Sequence, residues 1–458
     1  MAALGTSGRP LRVAIVGSGP AGFFTAEALC RAGIEVSVDL YERLPTPYGL
    51  IRGGVAPDHP KIKTVTRVFD KIAEDPRVSW FGNVTVGPDI TVPELRRCYD
   101  AVVMACGTET SRTLDIPGEE LRGCHSATAF VGWYNGHPSH AGHEFDLDVE
   151  TAVIVGHGNV SLDICRMLVK PVNALNSTDM AGYALDALSR SRIREIHIIG
   201  RRGPAQAKFT ATELRELGEI PGVQVFVEPS ALELDAASAM ELAHYEGRHA
   251  HKNMEALQSF TSPVPSPCEK RVFLRFLMSP VRLEGVQRLE SAVFENNQLE
   301  GEPFQLRAAP TGKQHRIRCG LLFRSVGYMG SPVAEVPFDA DQGIIPNRDG
   351  RVLRDSLPVP GLYAAGWIKR GPTGIIGTNK ADSKSTVDCI LADLPQLEAC
   401  PEPDPSAPAS LLARRGIRVL TYDDWKRIDA REVELGLAAG KPRVKFTSIE
   451  EMLRFIGL

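Results

Sequence analysis

Two glycine-rich turns, each placed between a short apolar run and a helical one, constrain this chain more than any other feature. The first, Gly17-Ser18-Gly19-Pro20-Ala21-Gly22, follows Arg12–Val16, which reads as a buried strand. Phe23–Arg31 then reads as a helix stopped by Gly33, and Glu35–Tyr41 as the next strand. The same order restarts at Thr151–Val155 with the turn Gly156-His157-Gly158-Asn159-Val160-Ser161, a helix from Val160 to Val169 and a strand at Glu195–Ile199. Strand, turn, helix, strand is the opening of a right-handed parallel βαβ unit. In such a turn the first glycine permits the bend, the second lets the backbone approach a pyrophosphate, and the third lets helix pack close to strand. The phosphates then rest on the free N–H groups of the helix N-terminus. Glycine-rich turns also serve as plain connectors, so the residues beyond each second strand decide between the two uses.

Those residues differ. Glu42 ends the strand after the first turn, where a carboxylate accepts hydrogen bonds from the ribose hydroxyls of an adenosine and repels a 2′-phosphate. That site suits FAD or NAD; the alternative is a solvated glutamate at a strand end. After the second turn the strand runs into Gly200-Arg201-Arg202-Gly203, with no acid at that point. Two guanidiniums there favour a 2′-phosphate through charge-assisted hydrogen bonds, unless the pair only solubilises a surface loop. Serine replaces the third glycine of this turn and is still small enough for close packing. An acid-ended and an arginine-ended nucleotide domain in one chain imply FAD together with NADPH.

A chain of 458 residues accommodates such a pair of domains. Ala101–Ala105 and Leu362–Ala365 read as later strands of the first domain, interrupted by the second. The reading is an α/β protein of two Rossmann-like dinucleotide-binding domains, the NADP domain inserted into the FAD domain, with a C-terminal extension. The predicted boundaries are 1–115 and 331–397 for FAD, 116–330 for NADP, and 398–458 for a linker and tail. Pro- and acid-rich Glu398–Pro408 forms the linker; in the tail, Thr447, Ser448 and Glu451 can cap a helix over Met452–Ile456, read as packed on the domain surface. A net charge of −4 argues against binding nucleic acid through phosphate neutralisation. Nine cysteines without a C-x-x-C pair give no metal site, cluster or redox dithiol, and suit the reducing cytoplasm. The N-terminus reads as neither a signal peptide nor a membrane span, so a soluble protein is expected.

Further motifs carry a resemblance: Leu44-Pro45-Thr46-Pro47-Tyr48-Gly49-Leu50, Gly54-Val55-Ala56-Pro57-Asp58-His59-Pro60-Lys61, Phe81-Gly82-Asn83-Val84, Gly156–Asp163, Gly200–Pro204 and Gly366–Gly374. Over roughly Leu11–Leu391 the chain resembles the ferredoxin-NADP reductases of the adrenodoxin reductase type. The resemblance implies that FAD is held by Gly17, Gly19, Pro20, Ala21, Gly22, Glu42, Leu50, Val84, Trp367, Gly374, Ile375 and Ile376. It assigns NADP to His157, Gly158, Asn159, Val160, Arg201, Arg202, Glu213 and Gly374. Trp367, where broader two-domain flavoproteins carry aspartate, points to this subfamily; His157 departs from its usual amide residue. His59, on a loop that the resemblance puts near the flavin, and Glu216 are the candidate catalytic residues, assisting hydride transfer or proton movement; the alternative for His59 is ordering its loop.

The implied activity takes a hydride from NADPH and passes electrons singly to a ferredoxin or similar iron-sulfur protein, which docks transiently by charge. Lys270, Arg271 and Arg275, interleaved with Val272, Phe273, Leu274 and Phe276, are a candidate docking patch or a half-buried strand with a solvated basic face. An FAD/NADPH monooxygenase and a non-catalytic flavin redox sensor are the rival readings.

Overall fold

The computed structural model describes residues 3–244, 248–262 and 267–457. It divides into two compact units: unit 1 comprises the chain up to Thr110, Asn135–Pro138 and the chain from Tyr328 on, and unit 2 comprises Ser111–Tyr134 and Ser139–Gly327.

Unit 1 begins with strand β1 (Leu11–Val16), helix α1 (Pro20–Cys30) and strand β2 (Val36–Glu42). Helix α1 starts three residues before the predicted Phe23, because Pro20 occupies its first turn, where a fixed φ and a missing N–H are no handicap. Short helices α2 (Leu50–Gly53) and α3 (Pro60–Lys63), then α4 (Thr66–Ala73), lead to β3 (Val78–Gly82) and β4 (Ala101–Met104). Strand β1 is buried along its whole length because its two faces enter different clusters. Leu11, Val13 and Ile15 pack with Phe23, Leu29 and Phe69, and Ala14 and Val16 pack with Val102, Met104 and Ile368. A strand covered on both faces reads as a continuous apolar run.

Unit 2 repeats the plan. Strands β5 (Cys124–Ser126) and β6 (Thr151–Val155), helix α5 (Asn159–Val169), strand β7 (Glu195–Ile199), helix α6 (Ala211–Gly218) and strands β8 (Val223–Val227) and β9 (Lys270–Arg275) follow in order. An antiparallel sheet, β10 (Met278–Glu284), β11 (Ser291–Glu300) and β12 (Arg307–Arg318), precedes the last parallel strand β13 (Leu321–Arg324). The parallel sheet has the order β5-β13-β6-β7-β9-β8. Ala152 and Ile154 face one cluster, and Val153 and Val155 face another, which Met278, Leu283 and Phe294 of the antiparallel sheet complete.

The suggested docking patch is overturned here. Strand β9 is paired on both edges, and its cations are engaged: Lys270 Nζ donates to the Leu168 carbonyl at 2.6 Å, Arg271 pairs with Glu195, and Arg275 Nε donates to His197 Nδ1 at 3.1 Å. The alternation of cation and apolar residue reports a strand inside a sheet.

Back in unit 1, β14 (Asn347–Arg348), β15 (Arg351–Arg354) and β16 (Leu357–Ala364) complete a sheet of order β14-β15-β16-β4-β1-β2-β3. Helix α7 (Thr378–Asp393) packs on α1, with Ser383 Oγ donating to the Ala21 carbonyl. The linker is tied down, its Cys400 amide donating to Asp100 and its Glu402 amide to the Arg97 carbonyl.

The tail departs from expectation. It forms α8 (Ala407–Arg414), α9 (Tyr422–Ala438) and α10 (Ile449–Phe455), the last capped by Ser448 as its sequence predicts. Trp425, Ile428, Met452 and Ile456 are buried in the same cluster as β1 and α1, so the tail is core and not a surface appendage. Spaced at helical intervals, its apolar residues carried this signal, but they were too few to show what they would meet.

A buried ion cluster locks the tail to α2. Glu432, whose side chain is fully buried, accepts from Arg52 and Arg443 and from the Phe446 amide, while Lys445 Nζ donates to the Arg52 carbonyl. Burial pushes the Glu432 carboxyl up, but the two guanidiniums and the amide outweigh it and hold it below the ordinary value. Glu432→Gln is expected to cost about 3–5 kcal/mol near neutral pH by leaving buried guanidiniums uncompensated. A depressed carboxyl contributes stability above its unfolded value, about 4.3, and loses it as pH falls through the folded one. The gap between wild type and variant in urea midpoint should therefore narrow as pH is lowered from about 7 towards 3.

Candidate functional site

In both units the first glycine of the turn sits where the strand order reverses, between β1 and β4 and between β6 and β13, at the carboxyl ends of parallel strands. Open parallel sheets bind ligands at such switch points. Gly17 has φ +110°, and a Cβ there would lie 2.5 Å from the Ala105 carbonyl oxygen, just past β4. Gly156 has φ +134°, and a Cβ would lie 2.1 Å from the Ser325 carbonyl oxygen, just past β13. The third position closes helix onto turn: a Cβ on Gly22 would strike the Gly17 carbonyl at 2.0 Å.

In unit 1 the second glycine, Gly19, is left with only Gly49 near it, and α1 carries no side-chain cap. Pro20 has no N–H to offer. The amides of Ala21 and Gly22, which lack hydrogen-bond acceptors among the described residues, are therefore the donors an incoming phosphate would meet. Glu42 is buried and accepts from the Ser18 amide at 3.1 Å, the Ser18 hydroxyl at 2.9 Å and the Leu44 amide at 3.1 Å. Burial raises its carboxyl above the ordinary value, and the Leu44 amide, the Arg43 charge and the Ser18 donors pull it partly back. Three donors on two oxygens fix the rotamer and leave lone pairs for further hydroxyl donors.

The other predicted residues of unit 1 divide between this turn and its frame. Tyr48 donates its amide to the Ser18 carbonyl, which brings Gly49 and the half-buried Leu50 against the glycine turn. Gly366 abuts Ala21, so the Trp367 segment also lies on the start of α1, with Trp367 Nε1 donating to the Thr373 carbonyl at 3.2 Å. Gly374, at φ +80°, exposed Ile375 and half-buried Ile376 lead into α7, whose N-terminus has no side-chain cap. Val84 differs: its side chain is buried in the core and its amide donates to the Glu42 carbonyl, so it buttresses the strand end that presents Glu42. His59 precedes α3 as its N-cap residue and is half-buried.

In unit 2, a Cβ on Gly158 would meet nothing within 4 Å, and α5 begins without a side-chain cap. Val160 is half-buried in its first turn. Asn159 Oδ1 accepts from the Thr210 amide at 2.8 Å, and Thr210 in turn caps α6 by accepting from the Glu213 amide. His157 is turned inward: its ring lies 4.7 Å from Phe276 and 5.5 Å from Phe209, and Nε2 meets the Ile198 carbonyl at 3.3 Å. Burial lowers it to about 4, so the ring is neutral near pH 7. Gly200 exists for this ring, since a Cβ there would lie 2.2 Å from His157 Nδ1.

Arg201 and Arg202 follow β7 with their backbones pinned, the Arg201 carbonyl accepting from Asn297 and the Arg202 carbonyl from the Leu277 amide. Neither guanidinium has an ion-pair partner among the described residues, so both are available to an anion. Glu213 is committed to the fully buried Arg166, which also binds Asp163 at 2.6 Å. Sequence reading missed Arg166 because a cation inside an amphipathic helix looks solvated. Glu216 is half-buried on α6, one turn from Glu213. Buried Ser161 Oγ, at the third turn position, has no hydrogen-bond partner among the described residues.

Comparison with known proteins accords with this geometry. A family model described as pyridine nucleotide-disulphide oxidoreductase matches residues 11–220. The chain is 43% identical to the NADPH-ferredoxin reductase FprA of Mycobacterium tuberculosis over 98% of its own length and all of that protein's. It is 43% identical to the human mitochondrial NADPH:adrenodoxin oxidoreductase, over 97% of this chain and 92% of that one. The solved structure of M. tuberculosis FprA in complex with NADPH superposes with a TM-score of 0.92 at 41% identity, covering 98% of this chain and all of the other. The chain belongs to the adrenodoxin reductase-type family of ferredoxin-NADP reductases.

Within this reductase family fold, six of the nine thiols are poor nucleophiles. Burial is the main force raising Cys30, Cys124 and Cys400 to about 11 and Cys106, Cys165 and Cys319 to about 12, and all nine cysteines are free. Disulphide exchange needs a thiolate, which these six do not supply at neutral pH. Gly156→Ala is expected to destabilise the protein by about 1–3 kcal/mol, because a positive φ and a blocked Cβ act together. A Gly158→Ala control should change the denaturant midpoint far less.

Proposed function

We propose that this chain is an FAD-dependent NADPH–ferredoxin reductase, with FAD bound by unit 1, NADPH bound by unit 2, and an iron–sulfur protein as the electron acceptor. The observation that carries the reading is the contrast between two otherwise equivalent switch-point turns. One is faced by a buried, prealigned carboxylate, the other by two uncommitted guanidiniums. NADPH held by unit 2 would supply a hydride and FAD held by unit 1 would supply a two-electron acceptor able to release single electrons, chemistry that no side chain of this protein can perform.

The chain's own residues do the holding. Ala21 and Gly22 offer amides to the FAD pyrophosphate, and Glu42 accepts from adenosine ribose. Trp367, Leu50, Gly374, Ile375 and Ile376 would hold the flavin, and Val84 supports Glu42 through its amide hydrogen bond to the Glu42 carbonyl. Gly158, Asn159 and Val160 give the NADP pyrophosphate its helix terminus, while Arg201 and Arg202 select the 2′-phosphate. Glu213 orients Arg166 beneath this site, and the neutral ring of His157 packs behind the turn without adding charge. His59 and Glu216 move protons or align the reacting rings. No helix among the described residues is long and apolar enough to cross a membrane, and the free cysteines suit a reducing compartment such as the cytoplasm.

Anaerobic stopped-flow mixing of the yellow protein with NADPH or NADH tests this reading. Fast bleaching that favours NADPH, followed by ferredoxin-dependent cytochrome c reduction, is expected; bleaching without onward transfer would reject the acceptor. Replacing Arg201 and Arg202 together by Gln should raise the KM for NADPH by about 10- to 100-fold, from the loss of one or two hydrogen bonds to a charged group. The NADH value should stay nearly constant. His59→Ala and Glu216→Gln should each slow flavin reduction by about tenfold or more. Unchanged rates and affinities would remove both residues from the mechanism.

A further inference from the structure

Tyr48 holds a backbone conformation that its own side chain resists. Its φ is +81°, in the left-handed region that a bulky residue rarely enters, and Gly49 follows at φ +50°. Strain of this kind persists only where the surroundings over-determine it. The buried Tyr48 ring packs against Phe23 of α1, at 5.8 Å between centroids, and edge-on against Trp425 of the tail helix α9, at 5.7 Å. Its hydroxyl donates to Asp70 on α4, accepts from Trp425 Nε1 at 3.2 Å and lies 2.8 Å from the Tyr422 hydroxyl, which itself reaches Asp70 at 2.7 Å.

The strain secures a close approach of two backbones. The Tyr48 amide donates to the Ser18 carbonyl at 2.9 Å, and Gly49 comes so near that a Cβ there would lie 3.2 Å from the Gly19 Cα. Gly19 is the turn residue at which a pyrophosphate approaches the backbone, so the placing of Tyr48 decides how Ser18 and Gly19 are presented. At the other end of this short stretch, Arg52 forks onto Glu432 of α9 at 2.8 and 2.5 Å and lies over the Trp425 ring at 5.1 Å. Helix α9 thus grips the stretch at both ends, with Gly49 and Leu50 between the grips.

We infer that Tyr48 is a positioning residue for FAD, holding Ser18 and Gly19 in the form that accepts the pyrophosphate, and that Tyr422 and Trp425 of the tail keep it in place. The inference deepens the assignment of FAD to unit 1 and rests on it. Without the hydroxyl bonds, Tyr48 can relax to negative φ and withdraw its amide from Ser18, and the turn must then be reordered whenever the dinucleotide binds. Cofactor retention at the start of the chain therefore depends on side chains 374 and 377 residues further on.

The test follows FAD itself in purified holoenzyme carrying Tyr48→Phe, Tyr422→Phe or Trp425→Phe, each of which keeps a ring and removes one hydrogen-bonding group. FAD release is read as the rise of free-flavin fluorescence on dilution, well below the unfolding temperature, beside the thermal midpoint from circular dichroism. Tyr48→Phe is expected to release FAD at least about tenfold faster than wild type, because Asp70 and Trp425 lose a shared partner, and each tail variant about threefold or more faster. Ile428→Val, which trims the buried side of α9 outside the hydroxyl network, should lower the midpoint and leave the release rate within about twofold. Release from Tyr48→Phe within about twofold of wild type, whatever its midpoint, overturns the inference and leaves the network as core packing. So does an Ile428→Val protein that loses FAD as fast as Tyr48→Phe. Should Tyr48→Phe not fold, unaltered release from both tail variants overturns it equally. A folded wild type that neither carries FAD nor takes it up overturns the assignment of FAD to unit 1, a failure seen without any variant.

Discussion

Much of this structure depends on two places where a side chain cannot exist. At Gly17 and Gly156 the chain leaves one strand and passes so close to the backbone departing from its neighbour that a single Cβ would collide with a carbonyl oxygen. The close passage lets a helix start at the end of a parallel strand with its uncapped N–H groups facing the crevice where strand order reverses. From that constraint follow the apolar strands covered on both faces, the small third residue of each turn, and the choice of what stands at the end of the next strand.

What stands there distinguishes the two units. Glu42 is held by three donors in a buried setting that disfavours its charge. Arg201 and Arg202 are the inverse: their backbones are fixed, and their charges are left open. One scaffold thus presents opposite charge at the equivalent strand ends of its two units, the contrast on which the proposed assignment of two cofactors rests.

The fold class was legible because strand, glycine turn, helix and strand are local patterns with fixed periodicities. The boundary at Pro20 was missed because the turn motif and the first helical turn are the same residues. Long-range partners were illegible. Nothing near His157 in sequence announces that Gly200 makes room for its ring, nor that Glu213 would find Arg166 across the packing of two helices. The alternation in β9 was visible, but an alternating basic strand has the same sequence at a sheet edge as between two neighbours, and only its pairing shows that the charge is engaged. The tail failed for a related reason: Trp425, Ile428 and Met452 indicate an apolar face without naming the surface it covers.

That tail has a consequence for how the molecule comes into being. Unit 2 lies almost entirely within one uninterrupted stretch, whereas unit 1 is written in the first and last parts of the chain. When β4 has left the ribosome, the sheet of unit 1 still lacks β16 beside it, α7 over α1 and the aromatic and aliphatic residues of α9 and α10. The nascent amino-terminal half must therefore carry an uncovered apolar face while the whole of unit 2 is synthesised and becomes able to fold. Completion of unit 1 waits on translation of α9 and α10, and a ribosome that stalls before Trp425 leaves unit 2 with all its strands and helices and unit 1 with an open core.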